Sequence, residues 1–204
     1  MRIIGGQYKR RRLLPLPKGV VARPIPDQVR EAVFNLLRGH FEHETVLDLF
    51  SGTGAFALEA VSRGAARAVC VEKDPRMART LEQNAEALGC ADRVEVASAD
   101  ALGAAALSRC PRGVHIVFAD PPYAMVRDPD QWTRVRTQFE RLLGLLDDTG
   151  YAILRTPWPF YHILEEDGSE GSRRDVDLAM AGGVGPETHA YGSTAVHLYM
   201  KHDT

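Results

Sequence analysis

Hydrophobic and polar positions follow two alternating periods along most of the chain. Short apolar runs rich in β-branched residues predict buried strands at residues 45–50, 67–74, 93–100, 113–120 and 151–156. Apolar residues three and four positions apart predict helices between them, at 54–64, 74–89, 101–109 and 129–146. Because right-handed crossovers join strands that alternate with helices, the pattern predicts a doubly wound α/β fold with a parallel sheet.

The last part of the chain departs from this alternation. Residues 173–181 and 193–201 predict two final strands with little helical pattern between them. The polar, Gly/Ser-rich residues 165–174 predict a loop. Two strands joined by a turn favour an antiparallel edge on an otherwise parallel sheet.

The first 40 residues differ from the rest in both pattern and charge. "IIGGQY" predicts a hairpin, and "DQVREAVFNLL" predicts a helix with Asp27 as its N-cap. We therefore predict a basic extension over 1–40 and a main domain over 41–204. The extension has nine Lys/Arg against two Asp/Glu, a net +7, whereas the remaining residues have 16 against 25, a net −9. This asymmetry favours an anionic partner such as a nucleic acid, with a solvated basic face as the alternative.

Composition narrows the classes of protein that fit. A chain of 204 residues suits one sizeable core, and no apolar run approaches the roughly 18 residues of a membrane span. The basic start lacks a following apolar segment, so we expect a cytoplasmic protein rather than a secreted one. Three cysteines without paired spacing predict reduced, buried thiols. "HFEH" (40–43) lies in a linker without a second ligand cluster, so no metal site is predicted.

The first strand ends in a glycine turn. Asp48 and Phe50 close the strand, Ser51 opens the turn, and Gly52 and Gly54 lead directly into a helix. Glycines let a ligand approach the backbone, and the helix N-terminus offers free N–H groups. The stretch also fits G-x-G-x-x-A, so it predicts a cofactor site without choosing between a dinucleotide and another nucleoside cofactor.

The second and third strands end in carboxylates. Glu72, followed by Lys73, lies 20 residues after Gly52 and can accept hydrogen bonds from both hydroxyls of a ribose. Asp100, followed by Ala101, can accept a hydrogen bond from the exocyclic amine of adenine. A solvated surface charge is the alternative for each carboxylate.

The fourth strand ends in "DPPY", the most discriminating motif in the chain. Asp120 supplies a carboxylate, and Pro121 and Pro122 hold the backbone rigid because their φ angles are fixed. The carboxylate and the Pro121 carbonyl form a pair of acceptors that matches the two hydrogens of an NH₂ group, and Tyr123 offers a flat face to a base. A purely structural turn is the alternative.

Together these motifs resemble the class I S-adenosylmethionine-dependent methyltransferases that act on amines, and in particular the RsmD-type methyltransferases of 16S rRNA. The resemblance rests on "MRIIGGQY", "DQVREAVFNLL", "VLDLFSGTGAFALEAVSRGA", "VEKD", "FADPPY" and "AYGSTAVHLY". It implies a Rossmann-like fold with a seven-stranded, mostly parallel sheet and an antiparallel last strand. It also implies N2-methylation of a guanine, G966 in that family, flipped into the DPPY site.

The resemblance also implies partners and contacts. We expect a monomer that uses S-adenosyl-L-methionine, without metal, on ribosomal RNA or a small-subunit assembly intermediate. The residues expected to contact RNA are Lys9, Arg10, Arg11, Arg12, Arg23 and Arg30. The chain departs from the family pattern at Arg10, at Ala22 and Ile25, and at Arg155, where the family usually has an acidic residue.

Three other functions stay open at this point. Adenine also offers an NH₂ group, so an adenine-N6 methyltransferase on RNA or DNA would suit the same motif. The glycine turn is compatible with an NAD-dependent oxidoreductase, although no residue marks a site for hydride transfer. A non-catalytic RNA-binding factor with a decayed methyltransferase fold is the third, against which the intact Asp48, Glu72, Asp100 and Asp120 argue.

Overall fold

The computed structural model describes residues 1–20, 25–164 and 171–202. Its strands are β1 Thr45–Leu49, β2 Arg67–Glu72, β3 Val94–Ser98, β4 Val114–Ala119, β5 Leu146–Pro157, β6 Tyr161–Leu164, β7 Ser172–Asp175, β8 Gly183–Tyr191 and β9 Thr194–Lys201. Its helices are α1 Asp27–Leu36, α2 Ala55–Ser62, α3 Pro75–Leu88, α4 Ala104–Arg109, α5 Tyr123–Arg127 and α6 Pro129–Leu143, with a 3₁₀ turn at Ala91–Arg93.

Seven strands form the main sheet, in the order β3-β2-β1-β4-β5-β9-β8. The first five are mutually parallel, β9 is antiparallel to β5, and β8 is antiparallel to β9. The predicted sheet, mostly parallel with an antiparallel last strand, is confirmed. The strand order reverses between β1 and β4, and in open α/β sheets ligands bind beyond the carboxyl ends of the strands at such a point.

The prediction for the penultimate strand was wrong. Residues Ser172–Asp175 pair with Tyr161–Leu164 in a separate two-stranded ribbon, and all four are exposed. The edge of the main sheet is instead Gly183–Tyr191, whose Gly185 and Pro186 interrupt the apolar alternation and break its register with β9. Of the predicted loop over 165–174, residues 165–170 lie outside the described part, and residues 172–174 belong instead to the second strand of the ribbon.

The helix ends follow from capping residues. Asp74 caps α3 by accepting from the Arg76 amide at 2.8 Å, and Gly89 ends it at φ 76°, so both ends agree with the helix predicted over 74–89. The predicted cap of α1 was wrong, because the N-cap is Pro26 and the Asp27 carboxylate instead accepts from Arg30.

The sheet is buried on both faces. Because side chains alternate along a strand, Val46, Ile116 and Phe118 enter one cluster, whereas Leu47 and Val117 enter the other. The first cluster includes side chains of α1, α2 and α3, and the second includes side chains of α4 and α6. No helix among the described residues has both the length and the apolar character needed to cross a bilayer.

The N-terminal segment packs into the first cluster through Ile3, Tyr8 and Leu13. The buried carboxylate of Glu59 on α2 accepts from the amides of Ile4 and Gly5 at 2.7 and 2.8 Å. Gly6 has a φ of 72°, and a Cβ there would lie 1.8 Å from a carbonyl oxygen of α2, so only glycine fits. Side chains of the segment are therefore part of the hydrophobic core.

Candidate active site

The carboxyl ends of the parallel strands open into one cavity of about 970 Å³, at the upper end of the range of about 300–1,000 Å³ that is typical of ligand pockets. It brings together most of the predicted site residues: Phe50, Ser51, Gly52, Glu72, Lys73, Asp100, Ala101, Asp120, Pro121, Pro122 and Tyr123. The predicted residues Asp48 and Gly54 are not among those that line it.

The glycine turn is held by its own backbone geometry. Phe50, Gly52 and Gly54 have φ angles of 60°, 58° and 89°, and a Cβ at Gly54 would lie 2.9 Å from Leu81 Cγ. The Ser51 hydroxyl donates to the Asp48 carbonyl of β1 at 2.5 Å. The turn therefore brings its backbone against the cavity and starts α2 at Ala55, whose first amides have no partner within the helix.

Asp48 supports this turn from inside the protein. It is buried, and its Oδ2 accepts from the Ala57 amide at 3.1 Å, while its Oδ1 has no partner in the described chain. Burial raises the pKa of Asp48 well above its ordinary value, and the nearby charges of Asp120 and Glu72 add to the rise. Asp48 therefore fixes the start of α2 and does not line the cavity.

Glu72 is oriented by two backbone amides. Its Oε2 accepts from the Gly52 amide at 2.7 Å, and its Oε1 accepts from the Asp74 amide at 2.8 Å. A carboxylate has about four acceptor sites, so each oxygen keeps one for a ligand. The side chain is thus held in place while it retains the acceptors that a vicinal diol requires.

Asp100 is oriented in a similar way. Its Oδ1 accepts from the Leu102 amide at 3.0 Å, and its Oδ2 lies 4.0 Å from Lys73 Nζ. The Ala101 carbonyl accepts from Gln138 Nε2 at 2.9 Å, which ties this strand end to α6. Asp100 therefore keeps one oxygen with acceptor capacity at the cavity wall.

Asp120 lies at the end of β4 with 15% of its side chain exposed. Its Oδ1 accepts from Arg155 Nε at 2.6 Å. Burial raises the pKa of the Asp120 carboxyl above its ordinary value, and the Arg155 guanidinium opposes that rise. No donor of the described chain is bonded to Oδ2 or to the Pro121 carbonyl. Two acceptors beside the cavity are therefore available to a ligand.

A family model described as "Conserved hypothetical protein 95" matches residues 1–149, most of the chain. The chain belongs to this family. A Bacillus subtilis relative, "Putative rRNA methyltransferase YlbH", is 30% identical over 98% of the chain and 99% of its own length. "Ribosomal RNA small subunit methyltransferase D" of Escherichia coli is 36% identical over 74% of the chain and 69% of its own length.

A solved structure has the same fold over its whole length. "Putative methyltransferase yhhF from Escherichia coli" superposes with a TM-score of 0.76 at 28% identity, covering 100% of this chain and 99% of that one. These findings confirm the RsmD-type resemblance and the class I methyltransferase fold that the motifs predicted.

Arg155 is the site residue whose contacts the sequence did not reveal. Its guanidinium carbon lies 5.0 Å from the centre of the Tyr123 ring, and its Nη1 donates to the Tyr123 hydroxyl at 3.2 Å. That hydroxyl donates to Thr194 Oγ1 at 2.5 Å. Tyr123, predicted as an open stacking platform, therefore has one face covered by an arginine.

The apolar wall of the cavity was also missed. Met1, Leu16, Val20 and Ile25 of the N-terminal segment contribute to the lining, and Met77 comes from α3. The periodicity marks apolar positions but does not indicate that residues of this segment reach the carboxyl edge of the sheet. The placement depends on contacts between distant residues, among them the bonds of Ile4 and Gly5 to Glu59 and of Leu14 to Asn84.

The basic residues predicted to contact RNA include an exposed cluster and one buried arginine. Lys9, Arg10, Arg11 and Arg12 are exposed, and Arg11 donates to the Ala87 carbonyl near the end of α3. The other end of α3 borders the cavity, about 18 Å away at 1.5 Å per residue. A nucleic acid bound to this basic cluster would therefore extend well beyond the cavity.

The expectation that Arg30 contacts RNA was wrong. Its side chain is 0% exposed, and Nη2 donates to the Arg2 carbonyl and to Asp27 Oδ1. A guanidinium enclosed in the core cannot reach a phosphate, so Arg30 joins α1 to the N-terminal segment. Arg23, with Ala22, lies outside the described residues.

The histidine linker has neighbours that the sequence did not suggest. His40 Nδ1 lies 3.1 Å from His115 Nε2, and His115 Nδ1 lies 2.7 Å from Asp147 Oδ2. Glu44, His115 and Asp147 have ligand-type atoms within 4.8 Å of one another. This cluster lies at the amino ends of β1, β4 and β5, on the edge of the sheet opposite the cavity.

Proposed function

We propose that this protein transfers a methyl group from S-adenosyl-L-methionine to the N2 amine of a guanine in small-subunit ribosomal RNA. The observation that carries the proposal is that two free acceptors, Asp120 Oδ2 and the Pro121 carbonyl, share one cavity with the carboxylates of Glu72 and Asp100. The family membership and the rRNA methyltransferase names of two relatives support the class of reaction and of substrate.

The donor set of the cavity fits this cofactor. Glu72 suits the two ribose hydroxyls because its orientation is fixed and it keeps free acceptor capacity. Asp100 suits the exocyclic amine of adenine, and the glycine turn lets the rest of the molecule approach the backbone. When bound, S-adenosylmethionine supplies a methyl group on a positively charged sulfur.

Asp120 and Pro121 would orient the acceptor nitrogen. The lone pair of an aromatic amine is delocalised into the ring, which makes the amine a poor nucleophile. Two fixed acceptors would hold both N–H bonds and direct the lone pair at the methyl carbon. Methyl transfer would form the N–C bond and break the S–C bond, whose electron pair would stay on sulfur, and the surplus proton would leave nitrogen for Asp120 or water. Loss of one preorganised group of this kind costs about 2.7–4 kcal/mol in other enzymes.

Asp120→Asn is the variant that tests this role. Asparagine keeps an oxygen that can accept from Arg155, whereas alanine would leave that guanidinium buried and unpaired. The NH₂ group of the asparagine would take the place of Oδ2, so a donor would face the N–H groups of the substrate amine. We expect methylation to fall at least about 100-fold with cofactor affinity retained. Asp128→Asn is the matched control, because this exposed residue caps α6 and asparagine is an equally good cap.

The assay is methyl transfer from labelled cofactor to 16S rRNA or small subunits from cells that lack the gene, followed by nucleoside mass spectrometry. N2-methylguanosine is the expected product. N6-methyladenosine would instead favour the adenine-specific alternative, and full activity of Asp120→Asn would contradict the proposed amine site.

A further inference from the structure

We propose that Arg155 is a positioning residue of this site, which fixes Asp120 with one oxygen free for the substrate amine and supports Tyr123 from behind. The inference rests on the proposed function, which it deepens. It is carried by the contacts that one buried guanidinium makes with two of the four DPPY residues.

The register of the sheet places Arg155 and Asp120 side by side. β4 and β5 are parallel neighbours, and Ala119 lies opposite Leu154 in their last pair. The next residue on each strand is Asp120 and Arg155, respectively. The two side chains leave the carboxyl edge of the sheet together, so their contact is set by backbone pairing rather than by a flexible loop.

The contacts of Arg155 make a rigid assembly. Its side chain is 7% exposed, and two of its nitrogens are bonded, Nε to Asp120 Oδ1 and Nη1 to the Tyr123 hydroxyl. The guanidinium also lies over the Tyr123 ring, a cation–π arrangement that is stronger when it is shielded from water. Thr194 holds the far side of the tyrosine hydroxyl. Asp120 and Tyr123 therefore cannot move independently of β5 and β9.

This arrangement decides which atoms meet the substrate. Oδ1 of Asp120 is engaged by Arg155, so Oδ2 is the oxygen left with no partner in the described chain. One face of Tyr123 is covered by Arg155, which leaves the opposite face to stack on a base. The amine and the ring of a flipped base would thus be received by groups that a single arginine aligns.

Arg155 also controls the charge of Asp120. The groups that interact with this carboxyl are Arg155 from β5 and Asp48 from β1, and Tyr123 from α5 is bonded to that arginine. Burial raises the pKa of Asp120, and of these groups only Arg155 carries a positive charge that lowers it. An arginine does not lose its proton in proteins, so it favours the ionised form of Asp120, in which both oxygens can only accept hydrogen bonds.

The test compares pH profiles of kcat for two substitutions. Arg155→Gln keeps a donor for Oδ1 but removes the charge, so the pKa of Asp120 rises further. The activity requires the ionised form of Asp120. As the pH falls, the variant is therefore expected to lose activity at a higher pH than the wild type does. We expect the acidic limb to move up by at least about one pH unit, which corresponds to 1.36 kcal/mol, with the KM for S-adenosylmethionine unchanged.

Arg155→Lys keeps the charge but loses the planar stack on Tyr123. We expect its acidic limb to stay where the wild-type limb is and its kcat to fall. Arg134→Gln, an exposed arginine of α6, is the control for the charge change. If Arg155→Gln does not fold, the lysine variant still decides, because a displaced limb in that variant contradicts the inference.

A second readout separates this inference from the proposed function. Selective ¹³C labelling lets NMR follow the titration of Asp120 without any substrate. A higher pKa of Asp120 in Arg155→Gln supports the inference even if the wild type proves inactive on rRNA, an outcome that overturns only the proposed function. An active wild type, with the same limb and the same Asp120 titration in Arg155→Gln, overturns the inference alone.

Discussion

Glu72→Gln is the most informative perturbation of the cofactor half of the cavity. The carboxylate now accepts one backbone amide on each oxygen, from Gly52 at 2.7 Å and Asp74 at 2.8 Å. Glutamine has only one oxygen, so one amide must face an NH₂ group and lose its partner. The carboxylate oxygen that the NH₂ group replaces can no longer accept a hydrogen bond from a ribose hydroxyl either.

The size of the effect follows from these bonds. A hydrogen bond to a charged group contributes about 1.5–3 kcal/mol, and a tenfold change in Kd corresponds to about 1.4 kcal/mol. We therefore expect the Kd for S-adenosylmethionine to rise about 10- to 150-fold. The amide left without a partner lowers the free energy of unfolding by about 1–3 kcal/mol, so the variant is expected to fold.

Isothermal titration with S-adenosylmethionine and with NADH is the assay, with thermal unfolding to establish that each variant is folded. Glu82→Gln makes the same chemical change on the exposed face of α3 and is the control. The wild type is expected to bind the former ligand and not the latter. A folded Glu72→Gln protein that binds S-adenosylmethionine within twofold of the wild type would refute the assigned ribose contact.

Two further predictions concern the N-terminal segment. Glu59→Ala leaves two amides of that segment and the Arg63 guanidinium without their partner. We expect denaturant unfolding to show that the free energy of unfolding falls by about 3–5 kcal/mol. A decrease below about 1 kcal/mol would indicate that the segment is held by other contacts. Replacing Lys9, Arg10 and Arg12 with glutamine removes three exposed charges, and the slope of log K against log salt for RNA binding should become shallower by about 2–3; an unchanged slope would show that RNA does not contact this cluster.

The parts of the fold that the sequence predicted depend on local signals. The cap of α3 by Asp74, with Gly89 at its end, needs only neighbouring residues. The parallel strands are apolar runs because both faces of the sheet are buried. By contrast, β8 pairs only along one edge and includes glycines and a proline, so its apolar signal is weak.

The parts of the site that the sequence missed depend on contacts between distant segments. The Arg155–Asp120 pair joins residues 35 positions apart and requires the register of β4 against β5. The burial of Arg30 depends on the Arg2 carbonyl and the N-terminal segment folding over α1. Residue type alone does not distinguish a buried arginine from an exposed one, so the sequence could not reveal the roles of Arg30 and Arg155.

The central claim is that this cavity methylates a guanine of small-subunit rRNA on N2. The most direct test is nucleoside mass spectrometry of that RNA from a strain with the gene deleted, complemented by the wild type or by Asp120→Asn. The account predicts that N2-methylguanosine is depleted in the deletion strain, restored by the wild type and not restored by the variant. An unchanged N2-methylguanosine content in the deletion strain would contradict it.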